Sequence, residues 1–335
     1  MNKVIYFPHK PLSGGPGTFQ ILIENHLEKL GWDICHDTPK PNTKVAFIVG
    51  GTAKVATLIR LKLKGVKIIH RLDGMLYPSR FENYGIKQKL RILLINSLLN
   101  IIRRYFADYV VYQTKFVKDW WYDKYGAASV PEFIIPNGSS SHYNKIEMSP
   151  STTIRIICVE GNIPSDKYVG DLLSFIASLN IDGKSIVLTL IGNYDSKLFE
   201  YLKRHENIHF LGKVKREDVS VQLLKNDLFL SLDLNAACPN SVIEAMHAGL
   251  PIIGFDTGAL YEICNDVCGK LLISFEGERF EHKYTGDFSR FRLSISELMK
   301  NIEINKELTF RHAKEKLSAE IMVNKYMSII KLIEI

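Results

Sequence analysis

The chain has 335 residues, 46% of them hydrophobic and 24% charged; a chain of that length buries about three quarters of its unfolded surface, which excludes a disordered or fibrous protein and predicts two domains or one large one. Its five cysteines (Cys35, Cys158, Cys238, Cys264, Cys268) are scattered and never spaced Cys-x-x-Cys, which argues against a disulfide framework and a structural zinc site and fits a reducing, cytoplasmic compartment. Net charge is +7, with 21 Lys and Arg against 11 Asp and Glu in residues 1–150 but 22 against 25 in the remainder, so only the first half has the surplus that draws anionic lipid, phosphate or nucleic acid.

In chain order, the short run Met1–Pro8 holds one lysine and stops at proline, too brief for a secretory signal. No later segment reaches the ~18 consecutive apolar residues of a membrane span. Within the opening run Val4–Phe7 predicts a strand, followed by Gly14-Gly15-Pro16-Gly17 and a helical pattern from Phe19 to Leu30 closed by Gly31. Apolar runs at Val45–Val49, Lys67–His70 and Tyr109–Tyr112 alternate with helical stretches, predicting a parallel sheet covered on both faces. Ile135-Pro136-Asn137-Gly138 then leads into a polar stretch, Ser139–Thr153, read as a hinge. The pattern restarts with strands at Ile154–Val159, Ile186–Ile191, Ile208–Leu211, Asp227–Leu232 and Pro251–Phe255. Helices at Asp171–Leu179, Lys197–Arg204 and Ser241–Ala248 alternate with them, and a helical tail runs from about Lys306 to Ile335. The expected architecture is α/β, two Rossmann-like doubly wound domains over residues 1–148 and 149–319, facing a central cleft at the carboxyl ends of their strands.

Pro239-Asn240-Ser241 is a good helix start: Asn240 can cap, and the free N–H groups of Ser241 and Val242 then face the cleft with the positive end of the helix dipole behind them, where a diphosphate would sit. Glu244, one turn in, is close enough to accept hydrogen bonds from ribose hydroxyls. Equally, Asn240 only caps and Glu244 only complements the dipole, as in any helix.

The stretch Glu244-Ala245-Met246-His247-Ala248-Gly249-Leu250-Pro251-Ile252-Ile253, followed by Thr257-Gly258-Ala259-Leu260-Tyr261-Glu262, resembles the signature of the family-4 glycosyltransferases, retaining enzymes of GT-B fold. Gly14-Gly15 resembles the glycine turn of that family's first domain, Ile135-Pro136-Asn137-Gly138 the end of that domain, and Leu190-Ile191-Gly192 and Phe210-Leu211-Gly212-Lys213-Val214 strands of the second. The resemblance implies a nucleotide-sugar donor held by the second domain, with the base near Gly212 and Val214. It also implies that a terminal helix, residues 320–335, crosses back onto the first domain.

Two positions depart from the family. Its two glutamates stand eight residues apart, the earlier holding donor-sugar hydroxyls; here the earlier position is Ala236. It also places an Arg and a Lys after the first strand of the second domain to neutralise the diphosphate; here Lys167 remains but Asn162 stands at the Arg position. The loop around Asp233, Asn235 and Cys238 is a candidate substitute for the missing glutamate, although Cys238 equally reads as a small buried apolar residue.

In the first half, His70-Arg71-Leu72-Asp73-Gly74 ends a strand with polar residues. Asp73 and His70 are candidate sugar contacts and Arg71 a candidate phosphate contact. The alternative is that His70 and Arg71 pair with nearby carboxylates to fix the loop. No Asp-x-Asp occurs, so no divalent metal and no cofactor are expected beyond the donor itself. Residues 85–106 carry Lys87, Lys89 and Arg91, an apolar run Ile92–Ile102, then Arg103-Arg104, which reads either as a helix resting on an anionic membrane surface or as a core helix with charged ends.

The expected function is transfer of a sugar from a nucleoside diphosphate sugar to a glycan or lipid-linked acceptor, in a cytoplasmic protein at the inner face of the membrane. A catalytically silent subunit of the same fold competes with it, because of Ala236 and Asn162. A nicotinamide enzyme is disfavoured, since Gly14-Gly15-Pro16-Gly17 lacks Gly-x-Gly-x-x-Gly spacing. Nucleic-acid binding explains only the basic first half.

Overall fold

The computed structural model describes residues 3–11, 14–76, 85–140, 152–265, 268–272 and 287–333. Most of the hinge stretch lies outside them. The chain divides into two compact units: residues 1–138 with 319–335, and residues 139–318.

In the first unit β1 (Lys3–Phe7), α1 (Gly15–Lys29), β2 (Trp32–His36), β3 (Thr43–Val49), α2 (Val55–Leu63) and β4 (Lys67–Leu72) come first. They are followed by α3 (Ile86–Ile101), one π-helical turn (Ile102–Phe106), β5 (Tyr109–Tyr112), α4 (Lys115–Tyr125) and β6 (Glu132–Ile134). The sheet is parallel, in the order β2-β1-β3-β4-β5-β6. Its direction reverses between β1 and β3, the place where open sheets of this kind take ligands. Because helices cover both faces, β1 and β4 are buried after their first residue, which is why they read as continuous apolar runs rather than alternating ones. Helix α1 starts on a proline in its first turn and keeps His26 and Lys29 in its last, both favoured by the geometry and dipole of those ends. Helix α4 begins where the Thr114 hydroxyl accepts from Val117 N at 3.2 Å, an N-cap of the usual kind.

The second unit holds β7 (Thr153–Asn162), α5 (Lys167–Ser178), β8 (Asn180–Ile181), β9 (Lys184–Asn193), α6 (Ser196–Leu202) and β10 (Ile208–Gly212). After them come α7 (Arg216–Leu224), β11 (Leu228–Leu230), α8 (Asn240–His247), β12 (Ile252–Phe255), α9 (Leu260–Cys264), β13 (Gly269–Leu272), α10 (Ser289–Lys300) and α11 (Ile302–Lys316). The sheet order is β10-β9-β7-β11-β12-β13, with β8 antiparallel to β9. This doubly wound order reverses between β7 and β11. At the carboxyl end of β9, Gly192 has φ +136° and a side chain there would overlap the Glu160 carbonyl, so the close approach of β9 to β7 demands glycine.

The expected helical tail is two helices, α11 and α12 (Ala319–Ile333), broken at Leu317 and Ser318. Helix α12 belongs to the first unit, where Met322, Val323, Tyr326, Ile329 and Ile330 join Phe19 and Phe47 in one core. The Tyr326 ring lies 5.4 Å from that of Phe19 and 5.3 Å from that of Phe47, distances at which aromatic pairs add about 0.5–1.5 kcal/mol beyond burial. Among the described residues no helix is long and apolar enough to cross a membrane.

Candidate functional site

In the first unit the carboxyl ends of β4 and β5 carry a connected polar cluster. The Arg71 guanidinium, fully buried, donates to Asp73 Oδ1 at 2.6 Å and to Asn137 Oδ1 at 2.8 Å. Gln113 Nε2 donates to the same Asp73 oxygen at 2.6 Å, and Trp121 Nε1 to the Asp73 carbonyl at 3.0 Å. Arg71 also lies over the Phe19 ring, 4.0 Å from its centroid, a cation–π contact in a desolvated place. Asp73 Oδ1 is thus held twice, while among the described residues Oδ2 has no hydrogen-bond partner. That free oxygen faces Gly50, where an added Cβ would lie 3.3 Å from it. Asp73 keeps 28% of its side chain exposed. A carboxylate fixed at one oxygen and open at the other is built to accept a hydroxyl proton or hydrogen bond.

His70 is corrected. It stands one residue before Arg71 but is fully buried, with Nε2 2.7 Å from the Gly50 carbonyl oxygen and Nδ1 buried without a partner among the described residues. The carbonyl makes Nε2 the protonated nitrogen, and burial lowers the imidazole pKa to about 4, helped by the Arg103 charge. A neutral ring sealed in this way has no face for a sugar. Arg71 takes the second of its two expected roles, a pair with a carboxylate, and His70 bonds to a carbonyl instead.

Gly14, with φ +91°, precedes α1, and Gly15 is its first residue. Beside them, at the reversal between β1 and β3, a recess is lined by Phe7, His9, Lys10, Pro16, Gly17 and Gly51 among others. His9 Nε2 lies 3.1 Å from Thr52 Oγ1, and burial followed by the Lys54 charge lowers its pKa.

In the second unit, Glu244 lies in α8 with its side chain 17% exposed, and its Oε1 accepts from Arg216 Nη2 at 2.8 Å. Burial raises the carboxyl pKa and Arg216 pulls it back. Helix α8 corrects the expected cap: Asn240 is its first residue, Pro239 precedes it, and no side chain caps it. The first intrahelical bond runs from Ile243 N to Pro239 O at 3.2 Å, so the N–H groups of Ser241 and Val242 lie ahead of it. The Val242 side chain is fully buried; only its main chain can meet a ligand. Gly212 ends β10 with φ +63°, and Val214, half-buried, follows two residues before Arg216.

Lys167 opens α5 and is 87% exposed, paired with Asp171 at 2.5 Å. Asn162 Oδ1 accepts from Asn193 at 2.8 Å. Ala236 is 3% exposed, and its backbone packs under Gly258, where φ is +63° and a Cβ would lie 2.5 Å from Ala236 N. Ala259 N donates to Ala236 O at 2.8 Å, closing that contact.

Sequence reasoning passed over Gln113, Asn137 and Arg216. Gln113 directly follows a strand, so the rule that found Asp73 would have found it. Asn137 was read only as part of a domain end. Arg216 is 28 residues from Glu244, and no local pattern announces that pairing.

Residues 144–280 match the family model described as glycosyl transferases, group 1. That match lies within the second unit. The chain is similar to a solved glycosyltransferase from Rickettsia africae (13% identity, 99% of this chain and 98% of that one, TM-score 0.72). It is similar also to a sucrose-phosphate synthase from Thermosynechococcus elongatus (11% identity, 99% of both chains, TM-score 0.70). A third similar structure is Anabaena HepE in complex with UDP-glucose (14% identity, 98% and 99%, TM-score 0.67). The chain therefore has the GT-B glycosyltransferase fold. No curated protein matches its sequence.

Proposed function

We propose that this chain is a group 1 glycosyltransferase that moves a sugar, with retention at the anomeric carbon, from a nucleoside diphosphate sugar to a glycan or lipid-linked saccharide in cell-surface polysaccharide synthesis. The observation that carries the reading is Glu244. A largely buried carboxylate one turn from the Ser241 and Val242 N–H groups, which have no partner among the described residues, is costly for folding, and a ribose diol with an adjoining diphosphate would satisfy both. The UDP-glucose complex of the Anabaena protein supports a nucleotide-sugar donor. Catalysis rests on positioning and on stabilising the departing diphosphate. Lys167 and the N–H groups of Ser241 and Val242 meet the phosphates, Glu244 the ribose, and Gly212 and Val214 the base. Gly14 and Gly15 leave room at the first unit, where Asp73 accepts from a sugar hydroxyl. No divalent metal takes part, since the chain has no Asp-x-Asp to clamp one to the diphosphate; full activity in EDTA is expected, and its loss would refute this point.

An anionic membrane surface is part of the proposal. In α3 Ile86, Leu90, Leu93, Leu94 and Ile101 are exposed, and they share one side of the helix by spacing. No acidic residue occurs between Gly85 and Ala107, whereas Lys87, Arg91 and Arg104 do. Apolar side chains with a basic border suit an anionic bilayer. Flotation with anionic but not with neutral vesicles, lost in L90E/L94E, is expected; equal flotation with both would refute it.

The alternative, a silent subunit, is favoured by the buried Ala236 and by Asn162 in place of a cation. Purified chain incubated with labelled nucleoside diphosphate sugars separates the two. Transfer to a lipid-linked saccharide with the donor's anomeric configuration kept supports the enzyme; donor binding with neither transfer nor hydrolysis supports the silent subunit.

A further inference from the structure

We propose that Arg216 is a positioning residue for the nucleotide, its guanidinium holding one oxygen of Glu244 so that the other is presented to a single ribose hydroxyl. The inference rests on the reading that Glu244 meets the ribose. Three observations carry it. First, Oε1 is taken by Arg216 Nη2 at 2.8 Å, and among the described residues Oε2 has no partner. Second, Arg216 is the first residue of α7, where a cation opposes the helix dipole, so the stability of α7 does not explain an arginine there. The same first turn carries Glu217 and Asp218, the residues that the dipole favours. Third, the Arg216 side chain is 53% exposed whereas that of Glu244 is 17% exposed; an ion pair open to solvent on one side adds little to folding. Its effect falls on the aim and charge of the carboxylate. A guanidinium suits that task, because it is planar and charged at every working pH. It also reaches Glu244 from the segment that follows Gly212 and Val214, so the residues assigned to base and ribose are tied together by one contact.

With Oε1 occupied, Glu244 reads one hydroxyl of the ribose rather than both. The test is calorimetric titration of wild type, R216Q and R216K with UDP, ADP and GDP, then with the 2′-deoxy and 3′-deoxy counterparts of the one that binds. In wild type one deoxy counterpart binds more weakly and the other as well as the ribonucleotide. R216Q is expected to weaken the ribonucleotide about tenfold, the size of one charge-assisted hydrogen bond. It leaves the weaker deoxy counterpart unchanged, so the preference between them collapses, and R216K restores part of it. In turnover, donor KM rises by a similar factor while kcat stays within about twofold, as for loss of uniform binding. An unchanged preference in R216Q overturns the proposal, as does tighter binding, which would place the guanidinium where the hydroxyl belongs. Wild type that binds no nucleotide overturns the donor reading itself and this proposal with it.

Discussion

Replacing His70 by Gln isolates one buried titration. Gln keeps a donor for the Gly50 carbonyl that His70 Nε2 contacts at 2.7 Å and removes the ionisable ring. In the folded protein the imidazole pKa is lowered from 6.5 to about 4. The folded state therefore favours the neutral ring, and its advantage is complete above pH 6.5 and declines as pH falls toward 4. By linkage the loss between pH 7.5 and pH 5 is about 2 kcal/mol. Protonation must put the second proton on Nδ1, which is buried with no acceptor among the described residues and feels the Arg103 charge. Glu132 also has a lowered pKa, with burial opposing and the Tyr122 and Tyr112 hydrogen bonds outweighing it. Its contribution is present above the usual carboxylate value and is lost at lower pH than that of His70, whereas His9, whose pKa burial and Lys54 also lower, contributes in the same window to wild type and variant alike. The three tryptophans, Trp32, Trp120 and Trp121, all lie in the first unit, and urea unfolding followed by their fluorescence reports on that unit alone. Wild type should lose about 2 kcal/mol more than H70Q across this interval, whatever the substitution costs at pH 7.5. Equal losses in the two proteins would refute the account of a neutral, sealed His70.

Asp73→Asn keeps the size of the side chain but removes the charge facing Gly50; turnover should fall by about a hundredfold or more while nucleotide binding by calorimetry is unchanged. Gly258→Ala places a Cβ 2.5 Å from Ala236 N at φ +63°, and a loss of about 2 kcal/mol or more is expected in far-UV circular dichroism of urea unfolding. Raising salt from 0.1 to 1 M should weaken nucleotide binding in wild type more than in R216Q, because the Arg216–Glu244 pair is reached by solvent; equal salt slopes would argue that the pair does not act in binding.

The strands of the fold were legible because parallel sheets bury both faces: Val4–Phe7, Val45–Val49 and Tyr109–Tyr112 are apolar runs and all form strands. Trp32–His36 was passed over. It is an edge strand carrying Asp33, Cys35 and His36, with neither an unbroken apolar run nor a clean alternation. Helix α3 could not be assigned to core or surface from its pattern, because apolar residues occur around most of its circumference. Only Ile92 and Asn96 are buried on it, and that depends on which elements lie beside it. The polar clusters divide in the same way. Glu244 and Asp73 were found at the ends of elements, where the sheet topology delivers ligand groups. Their holders Gln113 and Arg216 reach them by contacts 40 and 28 residues away in sequence, set by packing.

Each unit thus carries a carboxylate with one oxygen held by an arginine and the other without a partner among the described residues, yet the two pairs are built for different tasks. Arg71 is fully buried and bonded also to Asn137, with Gln113 sharing its acceptor; removing any one member leaves a buried polar group unsatisfied, so Asp73 is rigid and its Oδ2 has essentially one position. Arg216 is half exposed and has only Glu244 as a partner among the described residues. The pair can shift together at little cost as a ligand arrives and leaves, with Arg216 keeping its hold on Oε1. A rigid acceptor suits a group that must hold reacting atoms in line. A yielding one suits a group that must bind and then release a nucleotide on every turnover, since a contact that is too strong slows release as much as it strengthens binding.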